Sequence, residues 1–566
     1  MNGADWLLAA LRAQGVEVLF GNPGSTELPL TDALGRQDGL RYVLGLHEAA
    51  VMGMADGYAQ VTGGLAAVNV HVQPGLANAM SGILNAARAR VPLLVTVGQQ
   101  VRDLLPGAPF LGGELVELAR PLAKGAWEAG GAAELPGLLE RAVRTALAPP
   151  RGPVVLSLPL DVQVAAAPPP PGPVAAPPVR PPPDAALDAA ARVLGAARAP
   201  AVLAGDEVAA SGGSRQLAAL AERLGAPIHG EPMAATVPLP TDHPLWRGPL
   251  PPFEAEIAPL LERHDVVLAA GMPVFRVFGY SPGRALPPSA RLVHLEVDPA
   301  EIGRVHAPAV ALTGDVASGL AGLVARLGQA PPQALERGAR EAATAADARR
   351  RARRRLASGG GRRIGPAAFA RDVAAALAPR DLLVDESLTA GRGLRALVSR
   401  RTPATWRAHR GSALGWGLPA AVGAAVADPG RRVMAVQGDG SLVFGAPALW
   451  TAAREGARVA LVVADNGGYE ILRAGLEGLT GRPRGDWPGL ALRAPSLDLV
   501  SLCRGFGASA ARVEEPGELR GALVDLWRRA ADGPAALVVA VEGDTAPVGY
   551  PLPAGSDRGS GVVSGR

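Results

Sequence analysis

The run RVMAVQ, residues 432–437, ends in Gly438-Asp439-Gly440-Ser441, and a second run, VALVVAD, residues 459–465, ends in Asn466-Gly467-Gly468-Tyr469. Asp439 and Asn466 stand 27 positions apart, each where a β-branched apolar run stops. In a parallel sheet both ends fall on the carboxyl edge, where open α/β sheets bind ligands. One carboxylate, one amide oxygen and a nearby backbone carbonyl make an oxygen-only donor set with open positions, which suits Mg2+ shared with phosphate oxygens. The glycines let backbone N–H groups come close to those phosphates. The pair of motifs therefore points to a metal-bridged diphosphate.

Glu48 poses a second chemical question, because GLHEAAVMGMADGYAQ, residues 45–60, is otherwise mostly small and apolar. A carboxylate buried there is costly unless it is protonated, paired or specifically hydrogen-bonded. Its partner must come from elsewhere in the chain or from a ligand. Ser25, in the turn-forming NPGST, and His71, after the apolar run LAAVNV, are further polar candidates, whereas His47 would point away from Glu48 on a helix and is read as structural.

The elements that must position these residues are α/β in pattern. Continuous apolar runs such as PLLVTVG (92–98), PVVLSLP (153–159), APAVLAG (199–205) and DVVLAAG (265–271) alternate with Ala/Leu-rich helical segments. Such runs are expected of strands covered on both faces, hence parallel sheets flanked by helices. With 566 residues, three domains are expected. The boundaries are 1–164; a Pro-rich connector, 165–184, whose prolines forbid helix or central strand; 185–329; a charged spacer, 330–363, helical with a flexible end at SGGGRR; 364–545; and a flexible tail, 546–566. Hydrophobic residues make up 48 %, ample for three cores, and no run reaches membrane-spanning length, so a cytoplasmic protein without membrane partners is expected. Cys503, the single cysteine, excludes an intrachain disulfide and reads as a small buried hydrophobe. Net charge is only +4, so the run RRRARRR (349–355) reads as a solvated face rather than a nucleic-acid site.

GDGS followed by ADNGGYE resembles the diphosphate-binding signature of thiamine diphosphate enzymes, and FGNPGSTELP (20–29) with HEAAVMGMADGYAQ (47–60) resembles their pyrimidine-binding domain. NVHVQPGLANAM, VTVGQQ, MPVFR, GWGLPAAVG and ALWTAA extend the likeness over nearly the whole chain, toward the 2-oxo acid decarboxylases of the benzoylformate type. The resemblance implies pyrimidine-binding, central and diphosphate-binding domains. It also implies a homo-oligomer, commonly a dimer of dimers, with each active site between two subunits. Thiamine diphosphate and Mg2+ are the implied cofactors, and a small 2-oxo acid the implied substrate. In family terms Glu48 hydrogen-bonds the aminopyrimidine and exchanges a proton with it, Leu414 supports the bent cofactor, Ser25 orients the substrate carboxylate and His71 is the acid/base. The family pattern also assigns Asn22, Pro23, Asn78, Leu388, Thr389, Ser412, Gly438, Asp439, Gly440, Ser441, Asn466, Gly468 and Tyr469 to the cofactor, with Asp439, Asn466 and Gly468 on the metal, and Leu111, Phe278 and Leu472, beside Ser25 and His71, to the substrate pocket.

Two positions depart from the family pattern. Phe278 stands where a second active-site histidine is expected, and Ala474-Gly475 stand where an aromatic pair follows Leu-Arg, which implies a roomier pocket. Non-oxidative decarboxylation to an aldehyde is the leading expectation. The alternatives are a carboligase like acetolactate synthase, whose relatives often hold a flavin in the central domain, and a non-catalytic cofactor-binding protein on the same fold.

Overall fold

The computed structural model describes residues 1–357, 362–398, 401–482, 485 and 487–543. Among them the strands form three six-stranded sheets in which every pairing between neighbouring strands is parallel. The first holds β1 (Val18–Asn22), β2 (Arg41–Leu44), β3 (Ala66–Val70), β4 (Leu93–Gln99), β5 (Gly125–Glu128) and β6 (Val154–Pro159), ordered β2-β1-β3-β4-β6-β5. The second holds β7 (Pro200–Ala204), β8 (Ile228–Gly230), β9 (Trp246–Pro249), β10 (Val266–Ala270), β11 (Arg291–Glu296) and β12 (Val310–Thr313), ordered β12-β11-β10-β7-β8-β9. The third holds β13 (Leu382–Glu386), β14 (Trp406–Ala408), β15 (Val433–Gly438), β16 (Val459–Asp465), β17 (Ser509–Val513) and β18 (Ala535–Ala540), ordered β14-β13-β15-β16-β18-β17. Every residue of β4, β6, β7 and β10 is buried, as continuous apolar strands between two helix layers must be.

The strand orders determine where ligands can enter. The first and third sheets share one topology, and their chain direction reverses between β1 and β3 and between β13 and β15. A crevice opens outside the carboxyl ends at such a point. The central sheet reverses between β7 and β10.

Helix Glu48–Thr62 joins the first domain to the third. His47 caps it by accepting from the Ala49 N–H, Glu48 lies in its first turn, where a carboxylate suits the helix dipole, and Gly63 ends it in the left-handed region at φ 71°. Its small residues face helix Gly417–Ala427 so closely that a Cβ on Gly57 or Gly423 would strike the other helix's backbone. Met52, Met54 and Ala55 share one buried cluster with Leu418, Ala421 and Val422.

Residues 168–182 carry no regular structure, while Pro332–Ala357 is one long helix. Of the expected flexible end, 358–363, residues 358–361 lie outside the described residues, as does the expected tail from 546 onward. Cys503 is fully buried, and burial pushes its thiol up to about 12. Among the described residues no helix is long and apolar enough to cross a membrane.

Candidate active site

At the reversal point of the first sheet, β1 ends at Asn22 and β3 at Val70, so Pro23–Ser25 and His71 leave neighbouring strand ends. Ser25 is exposed and opens a short turn whose next residues, Thr26 and Glu27, are both 1 % exposed. Glu27 is the anchor of this corner. Its Oε2 accepts from the Gly24 N–H at 3.0 Å and lies 2.8 Å from His71 Nδ1, while its Oε1 accepts from the Thr26 hydroxyl at 2.9 Å. Thr26 Oγ1 is also 3.0 Å from His71 Nδ1. A carboxylate can only accept, so this contact assigns the proton to Nδ1 and leaves Nε2 as the free lone pair. The imidazole packs directly over Gly24, where any Cβ would collide with it.

Glu48 lies on the neighbouring helix end, 7 % exposed. Asn22 Nδ2 donates to its Oε1 at 3.3 Å and Asn78 Nδ2 to its Oε2 at 3.0 Å. Two amides therefore hold the carboxylate from either side, and Gly75 leaves space beside Oε1. Asn22 and Asn78, expected as cofactor contacts, touch Glu48 itself.

The third sheet brings the two motifs together. Asp439 Oδ1 accepts from the Gly440 N–H at 2.8 Å, and Oδ2 accepts from the N–H groups of Gly467 at 2.8 Å and Gly468 at 3.1 Å. Asn466 Oδ1 accepts from the Gly468 N–H at 3.2 Å, and the Gly468 carbonyl accepts from Glu470, which leaves one of its lone pairs. Burial pushes the Asp439 carboxyl up to about 6, opposed by those N–H groups and reinforced by Asp465. A buried carboxylate with a second acid nearby, a paired amide oxygen and a half-used carbonyl form a donor set that a hard divalent cation fits. Space is open beside Gly438, and the Tyr469 ring lies against Gly440. Ser441 is buried within the same short helix, Asp439–Gly445.

Across the reversal point, β13 ends at Glu386 and runs on through Leu388 and Thr389. Glu386 is fully buried and accepts from the backbone N–H groups of Gly415, Trp416 and Gly417, at 2.7, 3.3 and 2.7 Å. Burial pushes its carboxyl up to about 7 against those three donors. Ser412 is exposed with φ 67°, and Leu414 is half-buried.

Phe278 is 46 % exposed and meets Phe253 edge-on at 6.0 Å between ring centres. Phe253 packs on Ala474 and Ile471, so the room expected from the small pair Ala474-Gly475 is taken, beside Ala474, by an aromatic ring from the central domain. This corrects the roomier-pocket expectation: a residue remote in sequence replaces the missing bulk. Leu472 is 47 % exposed on the same helix, and Leu111 is half-buried.

Ion pairs gather at the carboxyl edge of the central sheet. Arg410 reaches Asp206, which follows β7, and Glu231, which follows β8, while Arg90 reaches Glu207 and, at 2.8 Å, Glu296 at the end of β11.

Models of three thiamine pyrophosphate enzyme domains match the chain: the N-terminal TPP binding domain over residues 1–114, the central domain over 187–323 and the C-terminal TPP binding domain over 392–539. The chain is 38 % identical over 522 residues to benzoylformate decarboxylase of Pseudomonas aeruginosa, covering 91 % of this chain and 94 % of that one. The chain belongs to the family of thiamine diphosphate-dependent 2-oxo acid decarboxylases. It is also similar to a putative acetolactate synthase large subunit of Mycobacterium tuberculosis, 31 % identical over 533 residues, covering 92 % and 96 % of the two chains. Among solved structures it resembles the thiamine diphosphate-dependent 4-hydroxybenzoylformate decarboxylase of Rhodococcus jostii, with a TM-score of 0.86, 32 % identity, and 96 % and 100 % of the chains covered.

In this decarboxylase-family chain, sequence reasoning missed Glu27, the partner of His71, and Glu386, which braces the Leu414 segment. Glu27 had a readable signal as a carboxylate between Thr26 and Leu28 in the same turn as Ser25, but nothing local ties Glu386 to residues 415–417.

Proposed function

We propose that the chain releases CO2 from a 2-oxo acid bearing an aryl or otherwise bulky side chain and yields the aldehyde, using thiamine diphosphate held through Mg2+. The observation that carries the reaction class is the corner where Glu27 holds His71, because it presents a fixed Nε2 at the strand end next to the one that leads to the exposed Ser25. Similarity to proteins named for benzoylformate and 4-hydroxybenzoylformate supports an aryl substrate.

Asp439, Asn466 and the Gly468 carbonyl would hold Mg2+ and through it the diphosphate. Glu48 would accept from the aminopyrimidine, its orientation set by Asn22 and Asn78. The bound cofactor supplies the electron sink that lets CO2 depart. Ser25 orients the substrate carboxylate, and His71 moves the proton at Nε2 while Glu27 stabilises the charged ring.

We read the active site as lying between two copies of the chain, as the family resemblance implies. Asn78 holds Glu48 and Asn85 holds Ala413, next to Leu414, and both lie on helix Val72–Ala89. Seven helical residues put Asn78 and Asn85 about 10 Å apart along the axis, so one helix touches both the Glu48 and the Leu414 segments. A second copy, in a dimer or a dimer of dimers, would complete the site.

A carboligase reading draws on Phe278, which offers no titratable donor, and on the acetolactate synthase relative.

The test is CO2 release from aryl, branched and long-chain 2-oxo acids, with aldehyde and ketol quantified. Glu48→Gln should bind cofactor yet lose roughly 10²-fold or more in rate. Mixing inactive Glu48→Gln and Asp439→Ala chains should restore activity, since mixed dimers contain one intact site. Cofactor binding without CO2 release from any acid would refute the proposal, ketol as the main product would favour the carboligase, and no complementation would refute the shared site.

A further inference from the structure

Segment Arg410–Gly417 leaves β14 and enters helix Gly417–Ala427 through left-handed backbone at Ser412, φ 67°, and Gly415, φ 88°. Residues 409–416 belong to no helix or strand, so their buried backbone groups need side-chain partners. The first and third domains supply them, and the central domain holds the segment through a side chain. Arg410 is paired with Asp206 and Glu231 of the central domain. Ala413 gives both its polar groups to Asn85 of the first domain: Asn85 Nδ2 donates to the Ala413 carbonyl at 2.9 Å, and the Ala413 N–H donates to Asn85 Oδ1 at 3.2 Å. Gly415, Trp416 and Gly417 donate to Glu386 of the third domain. Leu414 lies between the last two clamps.

Asn85 is 3 % exposed and Glu386 is fully buried. Both polar atoms of the amide and both carboxylate oxygens are committed to this one segment. An apolar side chain has no directional contact of its own, so the height of Leu414 above the crevice is inherited from the backbone on either side. Gly411 confirms how tightly the strap is seated, since a Cβ there would strike Asn85.

We propose that Asn85 and Glu386 are positioning residues that set Leu414 against the cofactor, so that the aminopyrimidine reaches the thiazolium proton; this rests on the assignment of Leu414 made above. Displacement by about 1 Å in such an arrangement is worth about 10²-fold in rate. The diphosphate end, held at Asp439 and Asn466, is not part of the strap. Its binding should therefore survive when the strap loosens.

The experiment uses the full-length chain with thiamine diphosphate and Mg2+. Cofactor affinity is measured by calorimetry, exchange of the thiazolium C2 proton by NMR, and amide exchange over residues 409–418 by mass spectrometry. Asn85→Ala is expected to slow C2 exchange by about 10- to 100-fold, to leave affinity within about threefold, and to speed amide exchange in the strap but not in helix Glu48–Thr62. Glu386→Gln, which offers one acceptor oxygen in place of two, should show the same split. Asn85→Ser provides the readout if the alanine variant does not fold. Leu414→Ala must reproduce the slow exchange.

Parental C2 exchange in folded Asn85→Ala or Asn85→Ser, with Leu414→Ala slow, overturns the proposal alone. Equal losses of affinity and exchange, with amide protection lost throughout, also overturn it in favour of a purely structural role. Parental exchange in Leu414→Ala overturns it together with the assignment of Leu414. A parent chain that binds no cofactor refutes the proposed function as well.

Discussion

Gly24 adopts an extended conformation, φ −134° and ψ −164°, that alanine can share, yet a Cβ there would lie 2.6 Å from His71 Cδ2 and closer still to Cγ and Nδ1. Carbon atoms rest about 3.5–4.0 Å apart, so Gly24→Ala, whose Cβ would lie 2.2 Å from Cγ, must drive the imidazole back by more than about 1 Å. The ring cannot comply freely, because Glu27 Oε2 holds Nδ1 at 2.8 Å and Glu27 is itself locked by the Gly24 N–H and the Thr26 hydroxyl. A 1 Å misplacement of a reacting group costs about 10²-fold, or roughly 2.7 kcal/mol of barrier. Gly24→Ala is therefore expected to lower kcat for CO2 release by about 10²-fold while cofactor affinity changes little, since Glu48 and Asp439 are untouched. Steady-state CO2 release and cofactor calorimetry on the same preparation measure both. A folded Gly24→Ala enzyme with kcat within about threefold of the parent would show that His71 need not stand where Glu27 places it, and the acid/base assignment would fail.

Asp439→Ala should abolish Mg2+-dependent calorimetric binding of thiamine diphosphate; retained affinity would rule out the metal assignment. His409 is buried, and desolvation, with Arg395 nearby, lowers it from 6.5 to about 4. The unfolded chain then takes up this proton first as pH falls below 6.5, so the neutral-histidine stability is complete above pH 6.5 and drains away toward pH 4, by about 3 kcal/mol. Denaturant midpoints between pH 7 and 4.5 should flatten in His409→Gln, and an unchanged slope would count against this account. Phe253→Ala should cost about 3–5 kcal/mol as a core truncation and shift kcat/KM toward bulkier 2-oxo acids; unchanged selectivity would remove Phe253 from the pocket wall. Phe278→His should lower the ketol-to-aldehyde ratio at fixed acceptor aldehyde, and an unchanged ratio would make Phe278 a packing residue only.

Where the chemistry depends on neighbours within a few residues, it was legible without coordinates. β15 and β16 could be recognised because a strand buried on both faces must be continuously apolar, and because a glycine turn at a strand end has its own residue types. Asp439 and Asn466 followed, as did the isolation of Glu48 in a small-residue helix. The same local pattern was silent about partners separated by tens or hundreds of positions. Asn85 and Ala413 are 328 residues apart, Glu386 and Gly417 31, and Arg410 and Glu231 179. Each is an ordinary polar residue in its own segment. Phe253 likewise gave no sign that it would take the space beside Ala474. Sequence alone determined what each element is and which chemistry ends it, because periodicity and turn preference are short-range properties. Only the tertiary structure decided which carboxylate holds His71, which side chains brace Leu414 and which acids pair with Arg410, because those contacts exist only once helices and sheets from separate parts of the chain pack at one angle and one depth.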